Sequence, residues 1–453
     1  MQVCTELQQI TCNRSIWANR YAAVVRERQL QLPEHDLALN SSQLEATVRR
    51  SRLIDRHWRR AIPNMDSLRL VDISTQDRNF FEGIFLAPGG RWLLLFNSTT
   101  VDVVDLDSSA SPEPLFRLSD AGIHGHYHSV FSTTGFRDGE SLVFFATINS
   151  VDSSLGTTFA FWSTNFRHSP PLSRFLGCVT LPDRCSKARI RGDLFLCTRE
   201  HTKYIVIFDW KLALEGGSPF RYYCLRYISP QKNPNYDLRD FCLLENNHIL
   251  AMDSAALWIQ IFSPPQFQLV ESLNQPLPTE FAVPVWEYMH KSAESPRLAP
   301  IYLYPILRLP KHITDVESTW PVGTLIVNRD GGYYTLIASQ DQGDCTKYGY
   351  LRGGLRSRFY RFGSRAMAVT ASMAGDGWHI DCFSINEEVT TDSAALEKHG
   401  SFSLRLEDMG LQYDAVYQDP GPIPTLDEET GRMCFLMPDY TPESRAVVVL
   451  DLV

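Results

Sequence analysis

The chain has 453 residues, 44% of them hydrophobic and 21% charged, and a formal net charge of −9. That length and balance suit a globular protein with two or three domains, or one large repeat domain plus an appendage. No stretch approaches the roughly 18–20 uninterrupted apolar residues of a membrane span, and the polar opening MQVCTELQQITCNRSIWANRY has no apolar core of the kind a secretory leader needs.

Charge divides the chain. Residues 1–60 carry ten Arg, no Lys and six acidic residues, a net of +4, which leaves −13 on the other 393 residues. The same sixty residues read as helical. Val3, Leu7 and Ile10, then Ile16 and Trp17, then Tyr21 and Val24 recur at three- to four-residue spacing. Asn13 or Ser15 is the candidate cap of a helix beginning at Ile16. Ser42-Gln-Leu-Glu45 has the form of a capping box. It predicts a helix to about Trp58 with Leu44, Val48, Ser51, Asp55 and Trp58 on one side, ended by Pro63.

From Leu68 onward the texture changes to short strands bounded by turn residues. Seven segments resemble one another: Val103–Asp107, Phe159–Ser163, Ile205–Asp209, Ile259–Ser263, Tyr333–Ile337, Ile380–Ser384 and Val447–Asp451. Their starts lie 56, 46, 54, 74, 47 and 67 residues apart, and a β unit recurring every ~40–60 residues is the signature of a β-propeller. Each segment is the second strand of a hairpin, as in FLAPGGRWLLLFNSTTVDVVDLD with its Pro-Gly-Gly turn. Fourth strands are expected at Leu115–Leu118, Ser173–Val179, Tyr222–Ile228 and Ser401–Leu406. The unpartnered strand Leu68–Ser74 is expected to pair with the last unit and close the ring. The Pro- and charge-rich stretches Pro284–Pro321 and Gln412–Glu429 read as insertions on the rim or face of the disc. The expected fold is therefore mainly β: a roughly seven-bladed propeller over 61–453 behind a small helical head over 1–60.

Chemistry is sparse. His124-Gly-His126-Tyr-His128 places three imidazoles on alternate positions, where an extended strand would bring them to one face around a zinc-like ion. The Asp of the hydrolase-type H-x-H-x-D-H pattern is missing, so a polar loop with exposed histidines is preferred; a metal-binding or enzymatic propeller using this cluster is the alternative. The ten cysteines never form a C-x-x-C pair, and Cys178-x6-Cys185 reads as incidental. Reduced thiols, hence a cytoplasmic or nuclear compartment, are expected. No G-x-S-x-G, Walker or G-x-G-x-x-G motif occurs. No cofactor, catalytic residue or membrane partner is expected. Arg49, Arg50, Arg52, Arg56, Arg59 and Arg60 form a dense basic stretch that suits phosphate attachment. The acidic whole, without an RNA-binding aromatic motif, points instead to a solvated helix face and no nucleic-acid partner.

VCTELQQITCNRSIWANRY, with Cys4, Leu7, Ile10, Ile16 and Trp17, resembles the last part of an F-box, where a VC-x-x-L-x-x-I helix precedes a polar turn and an S-x-W helix. With His57-Trp58-Arg59 and Leu86-Ala-Pro-Gly-Gly-Arg-Trp92 following, the layout is similar to the large F-box/WD-like family of mushroom-forming fungi. The resemblance implies a non-catalytic substrate-recognition subunit of a Skp–cullin–F-box ubiquitin ligase, its propeller capturing a protein target. Leu7, Ile10, Ile16 and Trp17 would then face the Skp-type adaptor or pack the helices. The Leu-Pro-rich first F-box helix has no counterpart after Met1, so the F-box reads as N-terminally truncated. A scaffold without a ligase role is the remaining alternative.

Overall fold

The computed structural model describes residues 13–28, 40–61, 63, 65–73, 81–108, 111–123, 127–132, 135–138, 141–150, 156–199, 204–216, 219–226, 238–243, 247–253, 258–271, 280–289, 300–306, 322–328, 332–338, 343–350, 357–362, 365–372, 377–385, 396–405, 407–409, 422–437 and 446–453. Among them are two long helices, α1 (Arg14–Arg28) and α2 (Ser41–Arg60), a short α3 (Trp210–Leu214), and seven sheets built on one antiparallel four-stranded plan, to which the third sheet along the chain adds one parallel pairing.

Numbered along the chain, the sheets begin at Gly83, Tyr127, Cys185, Leu238, Pro300, Ser357 and Ile423. Every one of the seven recurrent segments falls on the third strand of its sheet, Val103–Asp107 and Ile259–Ser263 running one or two residues past its end. The reason is visible in sheet 7, whose third strand is Ala446–Asp451. Val447 and Val449 pack with Ile84, Leu86, Leu93 and Leu95 of sheet 1, whereas Val448 and Leu450 pack with Met367, Val369 and Ile380 of sheet 6. Successive side chains of a strand point to opposite faces, so a strand covered on both faces becomes a continuous apolar run.

The same two-sided packing joins sheet 1 to 2 through Leu94, Phe96, Phe144 and Trp162, sheet 2 to 3 through Phe159, Phe161, Phe195 and Phe208, and sheet 3 to 4 through Ile205, Ile207, Phe241 and Ile249. Six sheets, from 6 through 7 and 1 to 4, thus stack in chain order with a separate apolar core between each neighbouring pair. This is propeller-type packing, built here from the sheet-to-sheet contacts themselves.

The expected pairing of the first strand with the last sheet is present. Arg69–Asp72 pairs antiparallel with Ala446–Asp451 and completes sheet 7 with residues from the other end of the chain. Three of the third strands end on Asp for identifiable reasons. Arg91 donates to both carboxylate oxygens of Asp105 at 3.0 and 2.6 Å, and Arg432 to both of Asp451 at 2.8 and 3.3 Å. Asp209 accepts from Arg221 at 2.7 Å and from the Leu212 amide at 3.2 Å, so it also caps α3. Arg91 holds the Asp105 carboxyl below the usual range, mainly by this side-chain hydrogen bond.

Two expectations about this region are corrected. Pro284–Pro321 is not simply an insertion: it contains Trp286–Met289, the fourth strand of sheet 4, and Pro300–Ile306, the first of sheet 5. Gln412–Glu429 likewise contains Ile423–Asp427, the first strand of sheet 7. All three are edge strands, where proline and polar residues cost little because one row of ladder groups is unused. An addition occurs elsewhere: Gln268–Val270 and Glu280–Phe281, between the third and fourth strands of sheet 4, pair with Phe220–Arg226 on the outer edge of sheet 3.

Candidate functional site

The helices carry the candidate surface. α1 begins at Arg14, two residues earlier than expected, and Asn13 accepts from the Ser15 amide at 3.0 Å. The capping box of α2 also lies two residues earlier than expected. Asn40 accepts from the Gln43 amide at 2.9 Å, and the Gln43 side chain accepts from the Asn40 amide at 2.9 Å. With the helix started at Ser41, its buried face is Leu44, Val48, Ser51, Ile54 and Trp58. Ile54 takes the place expected for Asp55.

That face is split between two cores. Leu44 and Val48 pack with Trp17 and Tyr21 of α1. Ile54, Trp58 and Ala61 instead belong to the core shared by sheets 6 and 7, among Met367, Trp378, Met433 and Leu450. The indole Nε1 of Trp58 donates to the carbonyl of Phe383 at 3.0 Å, and the guanidinium of Arg365 lies 5.4 Å above its ring. Arg365, only 2% exposed, donates from Nη2 to Asp55 Oδ1 at 2.5 Å and has Glu428 4.0 Å away. A buried guanidinium needs such partners, since an unpaired charge in that setting is strongly destabilising.

Two glycines allow the helix so close. A Cβ on Gly400 would stand 2.8 Å from the Cβ of Ala61, and one on Gly431, at φ 73°, would stand 2.9 Å from Ile54. The opposite face of α2 is basic: Arg49, Arg52, Arg56, Arg59 and Arg60 are all exposed, and Arg49 alone among these five has an ion-pair partner among the described residues, Glu45 at 2.5 Å.

The expected site residues fall as follows. Trp17 is 7% exposed and takes the helix-packing role; Ile16 is half-buried. Leu7 and Ile10 lie outside the described residues, as do His124 and His126. His128 sits in the first strand of sheet 2, opposite Asn149, and its side chain is not described. Among the described residues no group of three or more His, Cys, Asp or Glu is arranged to hold a metal ion.

The structure assembles two clusters that the sequence hid. Cys185 and Cys197, both fully buried, meet at 3.8 Å between sulfurs across a bulge in sheet 3. Burial pushes the Cys197 thiol well up, which makes it an inert packing group rather than a nucleophile. On sheet 6, Asp381 is wholly buried within its apolar strand and is answered by Lys398 at 2.9 Å and His379 at 3.2 Å. Nearby His399 bonds Ser384 at 2.7 Å, and burial holds its pKa down.

At the level of sequence, no family model and no curated protein matches the chain. Several solved structures align with the chain over most of its length. Raptor of Chaetomium thermophilum aligns at 7% identity and TM-score 0.45 over 84% of this chain, which spans only 28% of that one. The WD40 domain of SCAP from fission yeast aligns at 12% identity and TM-score 0.39, over 82% of this chain and 84% of that one. The Cps50 (Swd1) β-propeller domain of Myceliophteria thermophila aligns at 10% identity and TM-score 0.43, over 84% and 98%.

Proposed function

We propose that the chain is a non-catalytic interaction protein of the cytoplasm or nucleus, in which a seven-bladed β-propeller over 61–453 is presented by a helical head over 1–60. In the finer form of this reading the head is the later part of an F-box, and the propeller holds a protein target for a Skp–cullin–F-box ubiquitin ligase. The observation that carries the reading is the seat of α2, where Trp58, Asp55 and Ala61 fix the helix against sheets 6 and 7. A receptor that must hold its target at a set distance from a transferring enzyme needs a rigid link between its two ends. Such a joint meets that need better than a flexible tether would. Within this reading Leu7, Ile10 and Ile16 serve the adaptor side, and Trp17 supports them from within the helix pair.

The test is co-elution with a purified Skp-type adaptor, using the chain extended at Met1 by a Leu-Pro-rich F-box helix. A one-to-one complex that weakens on Leu7→Asp or Ile10→Asp is expected. Failure of the extended chain to bind ends the ligase reading and leaves the plain interaction scaffold.

A further inference from the structure

We propose that the arginine face of α2 is a docking surface for an acidic segment of a partner protein. The inference does not rest on the ligase reading. It starts from geometry: at 100° per residue, Arg49, Arg52, Arg56, Arg59 and Arg60 fall within about 100° of arc, and at 1.5 Å per residue they span roughly 16 Å. All five are exposed, and the stripe lies on the side of α2 turned away from Leu44, Val48, Ile54 and Trp58, which are buried. The helix as a whole carries six arginines against Glu45 and Asp55, a net of +4. Asp55 is committed to Arg365 and Glu45 to Arg49. Among the described residues no carboxylate forms an ion pair with Arg52, Arg56, Arg59 or Arg60. Like charges at i and i+4 oppose helix formation, yet four of the five arginines have no ion pair among the described residues, on a chain whose remaining residues carry −13.

Three features select the partner. The stripe contains arginine only, and the planar guanidinium fork matches carboxylates in a two-pronged geometry that lysine does not reproduce. The backbone beneath it is fixed by the Trp58 and Gly400 contacts, so little order has to be gained on binding. The whole chain is acidic, and beyond a Debye length of about 8 Å a long polyanion meets net repulsion while a short acidic peptide feels only the local stripe. That disfavours a nucleic acid. A membrane surface would call for several apolar side chains beside the charges, and among the described residues of α2 Leu53, 37% exposed, is the one exposed large hydrophobic.

The experiment uses the full chain and a labelled deca-glutamate peptide, read by fluorescence anisotropy, with duplex DNA and phosphatidylserine vesicles as parallel arms. Saturable peptide binding at low salt is expected, about tenfold weaker in R52E/R56E/R60E and similarly weakened by physiological salt. Should charge reversal unfold the helix by circular dichroism, R52Q/R56Q/R60Q keeps helix propensity and removes the charge. Absence of peptide binding, affinity unchanged in the folded variant, or tighter stripe-dependent binding of DNA or vesicles would each overturn the proposal.

Discussion

α1 and α2 are both arginine-bearing helices of the same head, but they are attached differently. The described core of α1 touches only its neighbour, through Trp17 and Tyr21 against Leu44 and Val48. α2 continues past that contact into the β core, where Ile54, Trp58 and Ala61 are surrounded by sheets 6 and 7. Among the described residues, the head meets the sheets through the C-terminal end of α2. The difference teaches that α2 belongs energetically to the sheets, and that its C-terminal half should melt with them rather than with α1.

Trp58→Ala would test this most severely. It empties a site of 1% exposure and strips the Phe383 carbonyl of its partner, so a loss of about 3–5 kcal/mol is expected in denaturant unfolding of the whole β region. A variant that unfolds α2 alone while the sheets keep their midpoint would break the comparison. Gly400→Val comes next. The new Cβ meets Ala61 at 2.8 Å and must displace the helix end or its own strand, for about 1–3 kcal/mol. Asp55→Ala removes the 2.5 Å ion pair from the buried Arg365; because Asp55 is 46% exposed, solvent screening reduces the expected loss to about 1–2 kcal/mol. Trp17→Ala should move the midpoint of the sheets by less than about 0.5 kcal/mol, since distant sites act independently. It should also erase slow hydrogen exchange in α1.

The third strands of sheets 1, 2, 3 and 7 were legible because burial on both faces forces an unbroken run of β-branched and aromatic residues, and the pairing of Arg69–Asp72 was legible because the sequence around it offered no other hairpin. The edge strands were harder. Pro300–Ile306 and Ile423–Asp427 carry prolines that read as loop, although an edge position tolerates them. The face of α2 was read almost correctly; the one misplaced residue, Asp55 for Ile54, followed from keeping a strict alternation of four- and three-residue steps where a three-residue step from Ser51 reaches the apolar Ile54. The contact of Cys185 with Cys197 had no sequence signal, because it depends on a bulge between Cys185 and Ala188. Asp381 was hidden for a different reason: a single carboxylate in an apolar strand is answered by Lys398 on the next strand, and that neighbour is known only once the register is known.

The finest probe of the joint is proton uptake at His399. Its side chain is 5% exposed, lies beside Gly400, and feels Arg59 and Arg365 on one side and Glu397 on the other. Burial is the main cause of its lowered pKa, with the two arginines adding to it and Glu397 opposing. The sign follows from linkage. As pH falls below the ordinary value of 6.5, the unfolded chain takes up the proton before the folded one does, so stability present above that pH is lost below it and levels off once the folded state also protonates. His399→Gln keeps a hydrogen-bonding group for Ser384 and removes the titration. The parent should therefore lose more melting temperature than the variant between about pH 7.5 and pH 5.5, in the range where an unperturbed histidine changes charge. Equal losses in the two proteins would mean that the seat of α2 is insensitive to protonation at this position.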